Sequence, residues 1–233
     1  MNFFGHAVLA SRMHSGPAFV LGSMVPDFAT MSRDRLQRPD ELDAELDAGV
    51  AMHHLTDRVF HVTEDFVRFN HWMTRALQER DVRRGTAMAV GHIGAELLLD
   101  RAFVNDGEGK DYVKAIALGA ASGRGVAHLR SADGRTRYHA LLQRLEAYGT
   151  NGYDVPTIAE RLQRALAGRK RLEVLEPDKN AILVVLEDYA PQIAERRHAW
   201  SEQIEAGLAA SPDRHAVFAA LEHAAVEQAK AGE

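Results

Sequence analysis

LDAGVAMHHLTDRVFHVTEDFVRFNHWMTRALQ, residues 46–78, decides the fold. Leu46, Val50 and Leu55, with Leu42 just before them, return every three to five residues, which is the rhythm of one helical face rather than the alternation of a strand. Asp40 is placed to cap this helix. Thr63, Glu64 and Asp65 read as a second N-cap, so the stretch resolves into two helices meeting near residue 63. Worked outward, the same rhythm, rich in Ala, Leu, Glu, Arg and Gln, fills the chain, and strand-like alternation is almost absent. The expected class is all-α.

Short helices are expected at 3–12 and 17–24, the second stopping near Pro26 because a proline disfavours helix at the residue before it. Asp27 is then left at a helix end or in a loop. The polar stretch 32–40 is a connection, and further helices are expected at 82–103, 112–121, 135–148, 157–167, 179–208 and 213–230. Neither an internal repeat nor a low-complexity linker divides the 233 residues, which implies one multi-helix domain with its chemistry in 1–100 and supporting helices in 101–233.

Composition narrows the function. A formal charge of −5 argues against a surface built to neutralise nucleic-acid phosphates, so no stable nucleic-acid complex is expected. The absence of cysteine excludes disulfides and thiolate-bound metal, leaving nitrogen and oxygen ligands. No apolar run approaches the ~18 residues of a membrane span. The first residues, MNFFGHAVLASRMHSG, lack a basic leader, and the expected location is the cytoplasm. GxxxxGK and GxSxG motifs are also missing.

What remains is histidine and carboxylate at helical spacing. His53, Asp57 and His61 follow one another at four-residue steps, and such residues share a helix face with Cβ atoms ~5–6 Å apart. Met52, Leu55, Val59, Phe60 and Val62 flank them, which implies burial, and a buried carboxylate needs a partner or a metal. GHIGAE repeats the spacing with His92 and Glu96, and its Gly91 and Gly94 suggest a close helix approach. His6 and Asp27 complete the candidate set, whereas His14, His54 and His71 are expected to take no part. One such pair alone is an ordinary ion pair on a solvated helix; two pairs and a further histidine fit zinc, manganese or iron. The basic stretch Arg169, Lys170 and Arg171, and the pair Arg83 and Arg84, are candidate contacts for a phosphate or an acidic partner, or simply solvated helix ends.

MNFFGHAVLA with His6, LGSMVPDF with Asp27, and GVAMHHLTD with His53 and Asp57 resemble the acyl carrier protein phosphodiesterase family, helical metal-dependent hydrolases related to the HD-type phosphohydrolases. ALAGRKRLEVL and DYAPQIAERRHAW carry the likeness into the C-terminal half. The chain departs from that family's Asp-rich pattern at His61 and at the His92–Glu96 pair. There the ligand order is similar to that of zinc-dependent phospholipase C and the fungal single-strand nucleases, families usually secreted and using a processed N-terminus as a ligand.

The expectation that follows is a phosphodiesterase with two or more divalent transition ions. Asp57 would lie between two ions, Asp27 and His53 completing one and His61, His92 and Glu96 the other. His6 would be an added ligand or a group facing the leaving oxygen. The resemblance implies a phosphodiester substrate, with release of 4′-phosphopantetheine from holo acyl carrier protein as the specific reaction. A lipid or small-molecule phosphoester hydrolase is the alternative, and a non-catalytic protein with a structural metal site is a further one.

Overall fold

The computed structural model describes residues 1–39, 43–219 and 221. Among them the regular structure is helical: α1 (Phe3–Met13), α2 (Pro17–Gly22), α3 (Val25–Met31), α4 (Ala44–Phe60), α5 (Glu64–Gln78), α6 (Arg84–Asn105), α7 (Lys110–Ser122), a 3-10 turn (Val126–His128), α8 (Ala132–Tyr148), α9 (Val155–Leu166) and α10 (Asp178–Ala210). Extended pairing among the described residues is an isolated antiparallel bridge between Leu36 and Leu129. The protein is all-α.

One local expectation changes, and two others fall largely outside the described residues. Pro26 does not end a helix; it lies in the first turn of α3, where its missing N–H is no loss, and Asp27 follows in that same turn. The expected caps and faces at Asp40 and Leu42 lie outside the described residues, while Asp43 Oδ1 accepts the Leu46 N–H at 3.2 Å just before α4. Of the expected closing helix, residues 214–219 are helical and most of the rest lies outside the described residues. Thr63 does cap α5, its hydroxyl oxygen accepting the Phe66 N–H at 3.4 Å.

The chain divides into two compact units. One comprises Phe3–Arg58, Gly109–Thr150 and Gly207–Glu233. Its core holds Phe4, Leu9, Phe19, Leu21, Met24, Phe28, Leu46 and Tyr138, each removed from water. Burial of each such side chain contributes about 1.5–3 kcal/mol before the cost of ordering the chain. Two glycines set the approach of α2 to α4. A Cβ on Gly22 would lie 2.1 Å from the Leu46 carbonyl oxygen, and one on Gly49 would lie 2.1 Å from that of Phe19. Backbone thus meets backbone one turn before His53.

The other unit comprises Met1–Asn2, Val59–Glu108 and Asn151–Ala206. Phe60, Phe69, Met73, Phe103, Leu162, Leu186 and Trp200 form its core. Here the expected close approach is found: a Cβ on Gly91 would meet Thr74 Oγ1 at 2.4 Å and the Asn70 carbonyl oxygen at 3.0 Å, so α6 can lie directly on α5. Fully buried Asp65, at the start of α5, is compensated by Arg196 at 3.2 and 2.9 Å and by Gln203 at 2.8 Å.

Candidate metal centre

Each unit holds its own group of histidine and carboxylate. In the first unit, His6 from α1, Asp27 from the first turn of α3 and His53 from α4 each offer a ligand atom within 4.8 Å of the others. The His6 and His53 rings stack with centroids 3.9 Å apart and planes at 28°. His53 Nδ1 lies 2.9 Å from the Ser23 carbonyl oxygen, an acceptor only, so Nδ1 carries the hydrogen and Nε2 keeps its lone pair. That lone pair is what a metal requires. Burial and the neighbouring His6 push the His53 imidazole down to about 3, against the hydrogen bond to Ser23, so it is neutral at physiological pH.

Asp57, one turn beyond His53, adjoins this group. Its Oδ1 is 3.2 Å from His6 Nε2 and its Oδ2 is 3.8 Å from His53 Nε2. Burial pushes the Asp57 carboxyl upward, but the His6 imidazole beside it counteracts this, and the acid is held well below the usual carboxylate range. His6 and His53 are buried, whereas the Asp57 side chain is 36% exposed. Solvent therefore reaches the carboxylates Asp57 and half-buried Asp27, not the two histidines.

In the second unit the ligand atoms of His61, His92 and Glu96 also lie within 4.8 Å of one another. His92 and Glu96 occupy successive turns of α6, with Nε2 and Oε1 3.1 Å apart, and His61 Nε2 comes within 3.4 Å of the same Oε1 from the turn before α5. Their imidazoles stack at 5.0 Å and 22°. Burial raises the Glu96 carboxyl, while the Met1 amino group at 3.3 Å and the two histidines outweigh it, so the acid stays ionised well below its ordinary range.

The donor chemistry and convergence of both groups fit a divalent transition metal. His54 is exposed on α4, His14 pairs with Glu45 at 3.5 Å, and His71 is exposed on α5. Arg83 uses its guanidinium on the chain itself, donating to the carbonyl oxygens of Lys170 at 3.3 Å and Glu173 at 2.6 Å. This brings it to the segment of Arg169, Lys170 and Arg171, which are exposed, as is Arg84.

Asp100 had a legible signal that the sequence reading passes over. It continues the His92–Glu96 spacing by one more turn, is fully buried, and accepts a hydrogen bond from Asn2. His128 and Asp47, 2.6 Å apart, had none, being 81 residues apart in sequence. Searches against protein-family models, curated proteins and solved structures found no match to this chain. Among the described residues no helix is long and apolar enough to cross a membrane.

Proposed function

We propose that the protein is a metal-dependent phosphodiesterase. The observation that supports this most is the convergence of His6, Asp27 and His53 from three separate helices on a span of 4.8 Å, with partly exposed Asp57 beside them. A carboxylate capping a helix or pairing on a solvated face needs no such convergence. His6, Asp27, His53 and Asp57 would hold metal in one unit, and His61, His92 and Glu96 in the other. A bound divalent ion supplies Lewis-acid polarisation of a phosphoryl oxygen. Ionised Asp57 would accept a hydrogen bond from the attacking water and take its proton, and His6 is either a further metal ligand or, left unligated, the group that gives a proton to the leaving oxygen.

The resemblance to acyl carrier protein phosphodiesterases supports a carrier-borne phosphodiester as substrate, and exposed Arg84, Arg169, Lys170 and Arg171 suit an acidic partner of that kind. A second reading, an apolar or lipid phosphoester, is favoured by exposed Val62 (76%) beside His61 and Met88 (51%) one turn before His92.

The test is metal analysis of the purified protein, followed by hydrolysis of an aryl phosphodiester with zinc, manganese or iron. Bound metal, and activity lost in Asp57→Ala and His92→Ala, is the expected result; no metal and no metal-stimulated activity overturns the proposal. Metal bound without turnover, in a site with four protein ligands, would identify a structural clip. Holo acyl carrier protein, followed by the mass lost with phosphopantetheine, then separates the carrier-borne substrate from small or lipid diesters.

A further inference from the structure

We infer that Phe66 is the positioning residue of the His61–His92–Glu96 group. Phe66 is buried, and its ring meets both imidazoles edge-on, His61 at 4.9 Å and 84° and His92 at 5.0 Å and 86°. Two rings that stack at 5.0 Å and 22° are thus held against one perpendicular surface, with both Nε2 atoms brought to the same Glu96 oxygen. Perpendicular aromatic contacts of this separation are attractive and directional.

The placement of Phe66 is itself determined. Its N–H donates to Thr63 Oγ1, and that oxygen also receives the Trp200 indole N–H at 3.0 Å while its own hydroxyl donates to the Phe60 carbonyl at 2.8 Å. Phe60 backs Phe66 at 4.7 Å and lies flat on Trp200 at 5.5 Å and 7°. A cap, an indole donor and three aromatic rings therefore fix one side of the two histidines. The carboxylate fixes the other.

Its effect on metal rests on the reading that this group binds an ion; its effect on the imidazoles does not. Phe66→Leu keeps apolar volume but removes the ring, and Phe69→Leu is the control, since Phe69 is an equally buried ring of α5 that stacks on Trp200 at 5.6 Å. Cobalt titration in an Asp27→Asn background, which disables the other group, should show affinity falling about 10–100-fold in Phe66→Leu, little change in Phe69→Leu, and recovery in Phe66→Tyr. In metal-free protein, imidazole nitrogen NMR should show the His61 and His92 signals averaged in Phe66→Leu and distinct in the control. Unchanged signals and affinity in Phe66→Leu, or equal losses in both variants, overturn the inference. If Phe66→Leu does not fold, Phe66→Met takes the same measurements. If the parent protein binds no cobalt, the metal reading fails while the NMR comparison still decides the role of Phe66.

Discussion

His6, Asp27 and His53 come from three helices, and both histidines are buried, whereas His92 and Glu96 come from consecutive turns of α6 and His61 from one nearby turn, with His61 33% and His92 42% exposed at their side chains. One group is made by packing. The other is made mostly by helix geometry and cushioned by Phe66. The difference teaches where each fails: disturbing the first group disturbs the core around it, while disturbing the second releases ligands from a fold that survives.

The sharpest separation is on the pH axis of metal-free protein. An unfolded histidine takes up a proton near 6.5, while folded His53 does so only near 3. Between those values the unfolded state binds more protons, so stability falls as pH falls, by on the order of 3–5 kcal/mol. Glu96 behaves as a depressed carboxylate: its contribution is fully present above the ordinary glutamate value of 4.5 and is lost as pH drops further. The window from 6.5 down to 4.5 therefore tests the first group. Urea midpoints measured with chelator present should fall across it, and the fall should be shallower in His53→Gln.

Next in size are the helix contacts. Gly49→Ala forces a methyl to 2.1 Å from a backbone oxygen and should cost about 2–3 kcal/mol by urea unfolding. A Cβ at Gly94 meets side-chain ends, those of Met73, Leu186 and Leu162 at 3.1, 3.3 and 4.0 Å, and Gly94→Ala should stay within about 1 kcal/mol of the parent because the helix-propensity gain offsets the crowding. Equal costs at the two glycines would break the contrast. Thr63→Ala, which removes the cap of α5 and the acceptor of Trp200, should cost about 1–2 kcal/mol.

The smallest stability effect is expected at partly exposed His92. His92→Ala should shift the unfolding midpoint by no more than about 0.5 kcal/mol, yet remove the metal held by the second group in elemental analysis. A large destabilisation with full metal content would reverse the assignment of the two groups.

The histidine and carboxylate types and their four-residue steps were legible because a helix repeats every 3.6 residues and local spacing is enough to put His92 beside Glu96. The same rule offered Asp100, one turn further on. It offered nothing for His6 against Asp27, whose approach needs the turn at Ser23–Met24 and the start of α3 at Val25. A proline read as a helix stop proved to be a helix start, because Pro at the first positions costs no hydrogen bond. Nothing in the spacing marks Phe66, since edge-to-face contact with two imidazoles has no signature in sequence.

The sequence by itself determined an all-α chain, the absence of any thiolate ligand, and the helical pairs His53–Asp57 and His92–Glu96, because composition and periodicity act over one or two turns. Tertiary structure decided the rest. It brought His6 and Asp27 to His53 through the glycine contacts of α2 and α4, oriented His53 through the Ser23 carbonyl, and set Phe66 against His61 and His92. These depend on which helix faces meet, a property of packing that no local interval in the chain encodes.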